Sequence, residues 1–304
     1  MTPLTDTIKL SEIDKPPTTT ILRYAKDDLY TNPVITSKRY IEEYIKMPMH
    51  SQWIRQRNVI YTIDKERCDI WLKCSHLIPE TESLLCAAQE QTSATNYVRK
   101  KLWKMNYSLV CRLCKVKDET VSHIISGCTM LADTKYTTRY ERVCTYVHWC
   151  LLNELGVKTC DEWYKHIPKE STECDDVTVM WDLTIQTDAH IPANRPDITI
   201  HDRKNKYATF IDISIPNDVN VIKKTAEKLV KYRDLEIEVQ KCWGLRKVKT
   251  VPIIIGALGS VCTGQKQYLK ELTKKIDFKI LQKTALLGTA NILRNVLSMN
   301  VAID

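Results

Sequence analysis

Residues 195–218 read RPDITIHDRKNKYATFIDISIPND, and this stretch decides the fold of the C-terminal half. It contains two runs rich in β-branched and aromatic residues, roughly 196–201 and 207–215, separated by the polar residues 202–206. Strand-forming runs joined by a short polar segment are typical of a β-hairpin. The sequence therefore predicts two antiparallel strands joined by a turn.

The predicted hairpin brings two carboxylates together. If the turn is centred on Lys204 and Asn205, Asp197 lies opposite Asp212, with side-chain carbons about 5 Å apart. Two such carboxylates repel each other, and a charge among isoleucine and phenylalanine side chains is costly. A hard divalent cation such as Mg²⁺ or Mn²⁺ prefers oxygen ligands and would resolve the conflict. The alternative, which spacing alone leaves open, is that both aspartates face solvent on a polar sheet edge.

A helix follows the hairpin in the segment NDVNVIKKTAEKLVKYRDLEIEVQKCWG (217–244), and Asn217 or Asp218 provides its N-cap. A lysine directed from this helix toward the aspartates can position a water molecule and offset phosphate charge. The candidates Lys224, Lys228 and Lys231 fall one turn apart on one face, with Tyr232 four residues beyond Lys228, and the pattern leaves the choice among them open. A solvated helix face is the alternative for the remaining lysines. The predicted buried stripe consists of Ile222, Ala226, Leu229 and Val239.

Three further segments complete the predicted C-terminal half. WDLTIQTDAHI (181–191) has the composition of a strand, and KVKTVPIIIGALGSV (247–261) supplies a further buried strand. LQKTALLGTANILRNVL (281–297) has the periodicity of a closing amphipathic helix. Together with the hairpin, these segments predict a mixed sheet flanked by helices.

The segment CRLCKVKDETVSHIISGC (111–128) has the pattern C-x2-C-x8-H-x4-C. Two cysteines two residues apart can present both sulfurs to one ion, and a later His and Cys can complete a tetrahedron. Four protein ligands leave no open coordination position, so the pattern indicates a structural zinc ion rather than a catalytic one. The predicted ligands are Cys111, Cys114, His123 and Cys128. The neighbouring Arg112, Lys115 and Lys117 are predicted to contact nucleic acid.

Helices are predicted on both sides of this motif. PETESLLCAAQEQTSATNYVRKKLW (79–103) opens with a proline and early glutamates, as helices often do. TMLADTKYTTRYERVCTYVHWCLLNELG (129–156) has apolar residues at helical spacing and a natural stop at Gly156. His148 in the second helix is interpreted as a structural histidine. The scattered cysteines, such as Cys86, Cys144 and Cys242, are expected to be buried free thiols.

Composition narrows the possible classes of protein. The chain has 304 residues, and its formal charge of +8 suits a polyanionic partner without requiring one. No apolar stretch is long enough for a membrane helix and the N-terminus lacks a signal-peptide layout, so we expect an intracellular protein. The segment RYAKDDLY (23–30) has the wrong spacing for the Y-x-D-D turn of a reverse transcriptase, and polymerase activity is rejected.

Four segments resemble the restriction-like endonuclease domain of non-LTR retrotransposons, a branch of the PD-(D/E)xK nuclease superfamily. They are RPDITI, IDISIPND, EKLVKYRDL and VPIIIGALGSV, between residues 195 and 261. The Cys–His motif, RYERVCTYVHW (139–149), LIPETESLLCAAQEQ (77–91) and LQKTALLGTANILR (281–294) resemble the polyprotein region downstream of the reverse transcriptase. The resemblance spans about residues 70–304.

The resemblance implies roles for individual residues. Asp197 and Asp212 match the metal-binding acids, Lys228 and Tyr232 match the lysine and tyrosine carried by the helix, and the Cys–His motif matches the zinc ligands. One departure is that the superfamily's usual lysine, two residues after the second acid, is replaced by Ser214. In these elements the endonuclease nicks chromosomal DNA so that the polymerase, which this chain lacks, can prime on the freed end.

We therefore expect an α+β protein of five parts. They are a flexible lead-in (1–37), a helical arm (38–108), a CCHC zinc knuckle with its following helix (109–156), a restriction-endonuclease-like core (175–262) and a helical tail (263–304). The expected function is Mg²⁺- or Mn²⁺-dependent nicking of DNA in the nucleus. The expected partner is DNA, with element RNA as a second candidate, and neither a membrane nor a small-molecule substrate is expected. An inactive nucleic-acid-binding relic is the main alternative, and a purely structural zinc protein is a third.

Overall fold

The structure is a computed structural model that describes residues 39, 42–47, 51–59, 62–74 and 76–299. Residues 55–304 form one compact unit and residues 1–54 another, and the description below concerns residues 55–299. The predicted flexible lead-in and the segment RYAKDDLY lie outside the described residues. Among the described residues, no helix combines the length and the apolar character needed to cross a membrane.

The predicted hairpin is present with the predicted register. Its strands are Ile198–Asp202 and Tyr207–Ser214, and Ile198 pairs with Ile211 in antiparallel fashion. The Asp202 carboxylate closes the turn by accepting hydrogen bonds from the backbone and side-chain amides of Asn205. Local turn chemistry therefore fixes the pairing that places the two predicted acids opposite each other.

The hairpin forms the middle of an open, mixed, five-stranded sheet, so the expected α+β class is confirmed. We label the strands β1 (Ser171–Cys174), β2 (Val177–Trp181), β3 (Ile198–Asp202), β4 (Tyr207–Ser214) and β5 (Lys247–Ile254), and this is also their order in the sheet. Strands β1 to β4 form an antiparallel meander, and β5 pairs with β4 in parallel. A parallel neighbour requires a crossover connection, which the helices between β4 and β5 supply.

The predicted strand at 181–191 is wrong. Strand β2 ends at Trp181, and Asp182 has a φ of 47°, which takes the backbone out of the extended region. Beyond it the chain folds back on itself, because Ile185 N–H donates to the Asn194 carbonyl. The β-branched residues of this segment therefore line a loop rather than a strand.

The single helix predicted after the hairpin is two helices, α9 (Val221–Lys231) and α10 (Arg233–Cys242). The break is at Tyr232, whose φ and ψ of −104° and 12° are not helical. The predicted buried stripe is partly wrong, because Ile222 and Ala226 are exposed and Leu229 is half-buried. The fully buried residues of this segment are Val221, Leu235 and Val239 in the helices and Tyr232 between them.

The core of the sheet region lies against α10. Phe210 and Ala208 of β4 pack with Tyr232, Leu235 and Val239 in one buried cluster. Burying these large side chains stabilises the fold by about 1.5–3 kcal/mol each. This packing fixes the crossover helices relative to the strand that carries Asp212.

The remaining helices surround the Cys–His motif and the sheet. The helix predicted at 129–156 begins irregularly, with a short turn at Thr129–Leu131 and a π-helical turn at Ala132–Tyr136, and continues as α8 (Thr137–Glu154). Gly156 adopts a φ of 72° after its end, as predicted. The closing helix is confirmed as α12 (Phe278–Leu297), which packs on α8.

The helix predicted at 79–103 is interrupted. It consists of α4 (Pro79–Gln89) and α5 (Asn96–Lys101), with Gln91 at a φ of 59° and Thr95 capping the second helix. The other helices are α1 (Gln52–Val59), α2 (Lys65–Cys68), α3 (Ile70–Cys74), α6 (Val121–Ser126), α7 (Thr129–Leu131) and α11 (Gln265–Leu272), and the 3₁₀ turns are Trp163–Lys165 and Asp218–Asn220.

Candidate functional site

The first candidate site is centred on Asp212 in β4. Its side chain is fully buried, and three groups from the crossover helices contact its carboxylate. Lys228 forms an ion pair with Oδ2, and Lys231 Nζ lies 3.2 Å from Oδ1. The Tyr232 hydroxyl lies 2.8 Å from the same Oδ1. A buried carboxylate with this many polar partners is compensated rather than stranded.

Asp197 stands immediately before β3, where the hairpin register places it opposite Asp212. Its Oδ2 accepts a hydrogen bond of 2.5 Å from Ile213 N–H, and its carboxylate is also hydrogen-bonded by the Tyr140 side chain. Burial, and then the nearby charge of Asp212, raise the pKa of Asp197 to about 6. The predicted repulsion between the two acids is therefore present.

The structure distinguishes among the three candidate lysines. Lys228 and Lys231 both reach Asp212, whereas Lys224 pairs with Glu227 at 2.5 Å. Two ammonium groups thus lie beside the two carboxylates of the site. The mutual repulsion that motivated a metal ion is at least partly offset by the protein's own charges.

Tyr232 is the point where these contacts meet. Its hydroxyl accepts a hydrogen bond of 2.6 Å from Lys231 Nζ and lies 3.0 Å from the Arg195 carbonyl oxygen as well as 2.8 Å from Asp212. One hydroxyl proton can serve only one of these two acceptors at a time. Burial, followed by the charge of Asp212, raises the pKa of Tyr232 well above its usual range, so the hydroxyl remains a donor.

Sequence reasoning missed one member of this site. Tyr140 comes from α8, at the other side of the Cys–His motif, and hydrogen-bonds the Asp197 carboxylate. Its place in an apolar helical pattern made it look like a core residue. Its phenolic oxygen was the available signal, because a buried tyrosine hydroxyl usually has a polar partner.

The second candidate site is the predicted Cys–His group, whose four ligand atoms lie within 4.8 Å of one another. Cys111 Sγ and Cys128 Sγ are 3.9 Å apart, and Cys114 Sγ is 3.3 Å from His123 Nε2. Sulfurs 2.3 Å from a tetrahedral zinc ion would be about 3.8 Å apart. The group can therefore hold a metal ion, and it is the only such cluster of three or more ligands among the described residues.

Local structure builds this group. Thr120 caps α6 by accepting a hydrogen bond from His123 N–H, which starts the helical turn that carries the imidazole. The Tyr136 hydroxyl accepts a hydrogen bond from Cys128 N–H and lies 2.7 Å from the Ile124 carbonyl oxygen. These bonds attach the last ligand of the cluster to the start of α8.

The prediction that Arg112 contacts nucleic acid is wrong. Its guanidinium is buried and forms a bidentate ion pair with the buried Glu119, at 2.9 and 2.6 Å. It also donates to the Val296 and Met299 carbonyls at the end of α12. Arg112 therefore connects the Cys–His segment to α12. Of the three basic residues predicted to contact nucleic acid, only Lys115 and Lys117 are exposed.

His148 has the structural environment that its sequence context indicated. It is fully buried, its Nδ1 lies 2.8 Å from His166 Nε2, and the edge of Trp181 packs against it. Burial, and then the neighbouring His166, lower the pKa of His148 to about 4, so its ring is neutral at physiological pH. It is not among the metal-binding clusters of the described residues.

The twelve cysteines are all free thiols, as expected for this composition. Their burial differs from the prediction, because Cys144 is buried but Cys86 is half-buried and Cys242 is exposed. The scattered positions therefore do not form a single buried class.

No protein-family model matches the sequence, and no curated protein matches it significantly. The candidate function therefore depends on the residues and the geometry described above.

Proposed function

We propose that this chain is a metal-dependent DNA endonuclease derived from a non-LTR retrotransposon, with a restriction-endonuclease-like core and a zinc knuckle. Its role would be to nick target DNA for target-primed reverse transcription in the nucleus. The observation that carries the proposal is the buried Asp212, opposite Asp197 across the hairpin and contacted by Lys228. Two acids that could hold a divalent cation, with a lysine beside them to offset phosphate charge, would suit phosphodiester cleavage.

The acid pair is chemically suited to Mg²⁺ or Mn²⁺. Both residues offer carboxylate oxygens, which hard cations prefer, and burial, together with the charge of Asp212, raises the pKa of Asp197. Asp197 and Asp212 would hold the cation. Once bound, such an ion supplies a polarised phosphate and a water molecule that is easier to deprotonate.

The chain's own residues would orient these groups. Tyr232 restrains Asp212, and Tyr140 with Ile213 N–H restrains Asp197, so both carboxylates are held before substrate arrives. Lys228 is mostly buried beside Asp212 and would offset phosphate charge or position water. Lys231, on the same carboxylate, would support it, while Lys224 pairs with Glu227 and does not contact Asp212.

The Cys–His cluster is proposed as a structural zinc site, because its four ligands would leave no position for substrate. Zinc would hold the exposed Lys115 and Lys117 beside the core, where they would contact DNA or element RNA in a salt-sensitive manner. The net charge of +8 is consistent with such a partner.

One observation favours the second candidate, a nucleic-acid-binding protein that no longer cuts. Both oxygens of Asp212 are contacted by lysine ammonium groups, so the carboxylate has a cationic partner without any metal ion. If a divalent cation failed to displace these lysines, the chain would bind DNA but lack cleavage.

The experiment is a nicking assay on supercoiled plasmid with the zinc-loaded chain in Mg²⁺ or Mn²⁺. The test variant is Asp197→Ala, the matched control is Asp176→Ala in the exposed β1–β2 turn, and EDTA provides the blank. The proposal expects relaxation that requires the cation, disappears in Asp197→Ala and persists in the control. Absence of relaxation, with plasmid still retarded in a gel, would contradict it and favour the second candidate.

A further inference from the structure

Arg139 of α8 is a buried cation that no carboxylate of the described residues contacts directly, although the charge of the buried Asp218 acts on it from a distance. Its side chain is 3% exposed, and it forms no ion pair with a carboxylate in the part of the chain that the structure describes. Its Nη1 donates to Thr289 Oγ1 at 2.9 Å and its Nη2 to the Ile215 carbonyl at 3.3 Å, while the buried Nε has no partner. A buried charge without a counterion is costly, so an external anion is a natural partner.

The surroundings of Arg139 hold the guanidinium in place. Its Cζ lies 5.3 Å from the centre of the Tyr136 ring, and a Cβ at Gly288 would come within 2.5 Å of Arg139 Cγ. Glycine at position 288 is therefore what lets this side chain lie against α12. A side chain packed this closely is preorganised for a ligand rather than free to leave.

Arg139 lines a cleft of about 370 Å³ beside the acid pair. The cleft is also lined by Tyr140, which hydrogen-bonds Asp197, and by Ser214, which shares a sheet face with Asp212 because it is two residues further along β4. Asn217, Asn220 and Lys224 complete its polar wall. Amide, hydroxyl and ammonium donors around a buried guanidinium form a set suited to phosphate oxygens.

We propose that this cleft is a second phosphate site, which binds a backbone phosphate of the DNA strand next to the phosphate at the acid pair. Arg139 provides the buried charge and Lys224 a second charge at the rim. The inference rests on the proposed function, because it names how that site positions its substrate. In this proposal Lys224 acts in the cleft, which it lines, and not at Asp212, which it does not contact.

The first test uses inorganic phosphate as the probe and the arginine Nε–H signals of the ¹⁵N-labelled, zinc-loaded chain. The Arg139 signal is assigned by its loss in Arg139→Lys, and it should shift saturably as phosphate is added. Lys224→Gln should weaken phosphate binding about three- to tenfold, because one charge-assisted hydrogen bond is lost. The matched control is Lys223→Gln, an adjacent, more exposed lysine that pairs with the same Glu227 and does not line the cleft.

The Lys224→Gln and Lys223→Gln comparison keeps the inference testable even if Arg139→Lys fails to fold. Equal effects of the two variants on phosphate affinity, or no phosphate-dependent arginine signal in the wild type, would overturn it. Duplex DNA binding then tests the occupant: Lys224→Gln should lower the slope of log affinity against log salt by about one, and Lys223→Gln should not. Equal slopes would overturn the assignment to DNA and indicate a free phosphorylated ligand.

Failure of this inference is distinguishable from failure of the proposed function. Phosphate binding at Arg139 together with the expected DNA slopes, but without any nicking, would support the phosphate site and contradict the proposed nuclease activity. Nicking without phosphate binding at Arg139 would support the proposed nuclease activity and contradict the phosphate site.

Discussion

The buried ion pair between Arg112 and Glu119 gives a prediction about stability. The side chains are 3% and 0% exposed, and the guanidinium also donates to the Val296 and Met299 carbonyls. The substitution Arg112→Met keeps most of the side-chain volume but removes the charge. It leaves the Glu119 carboxylate buried without its cation.

Breaking a buried pair in this way costs about 3–5 kcal/mol. The Val296, Leu297 and Met299 carbonyls at the end of α12 also lose the guanidinium as a donor, so we expect the upper half of that range. A typical domain has only about 5–15 kcal/mol of stability in total, and the variant should therefore unfold at a much lower denaturant concentration. The exposed Lys117→Met, five residues away, should change stability by less than about 0.5 kcal/mol.

The measurement is urea-induced unfolding of the zinc-loaded chain at pH 7, followed by circular dichroism. The wild type should also lose stability in acid: burial alone would raise the pKa of Glu119, but the hydrogen bonds from Arg112 outweigh it and lower the pKa. A lowered folded-state pKa contributes stability above the unfolded value near 4.5, which is lost as pH falls through the folded value. A loss below about 1 kcal/mol in Arg112→Met would refute the reasoning that this pair is desolvated.

Three further predictions concern the two candidate sites. Because the pKa of Asp197 is raised from 3.8 to about 6, the wild type should lose stability as pH rises from about 4 to 6, and Asp197→Asn should be more stable than the wild type at pH 7 by about 1–3 kcal/mol. Urea unfolding across this pH range checks it, and a less stable variant would contradict it. At subsaturating Mg²⁺ the nicking rate should fall as pH drops below the pKa of Asp197, about 6, because protonated Asp197 cannot hold the cation; a flat profile between pH 5 and 7 would argue against that role. Metal analysis should find one zinc ion per chain and its loss in Cys128→Ser, with chelation unfolding the segment around α6; full zinc content in the variant would exclude Cys128 as a ligand.

The hairpin and the Cys–His motif were predictable because their information is local. The strand pairing follows from alternating β-rich runs and from the turn around Asp202, and both lie within residues 195–218. Likewise, the four candidate ligands lie within eighteen residues, as a C-x2-C-x8-H-x4-C pattern. In such cases neighbouring residues determine the geometry, and the register that sets Asp197 opposite Asp212 follows directly.

The remaining features depend on contacts between distant parts of the chain. Arg112 was predicted to be an exposed basic residue because its hydrogen bonds to the Val296 and Met299 carbonyls span 184 and 187 positions of sequence. Tyr232, where the helix breaks, hydrogen-bonds Asp212 of β4 twenty positions earlier, a contact that helical periodicity cannot reveal. Tyr140 joined the acid pair through packing of α8 on β4, although its spacing indicated only an apolar helix face. Similarly, the strand expected at 181–191 was lost to a backbone reversal at Asp182.

The most direct test of the account compares single-turnover DNA nicking by the wild type and Asp212→Asn in Mg²⁺, with enzyme in excess and binding of the same DNA measured in parallel. Asparagine keeps the shape of the side chain that Lys228, Lys231 and Tyr232 contact but removes its charge. The account predicts that the variant binds DNA as the wild type does and that its nicking rate falls by at least about a hundredfold. Equal nicking by the two proteins would contradict the claim that Asp212 holds the catalytic cation.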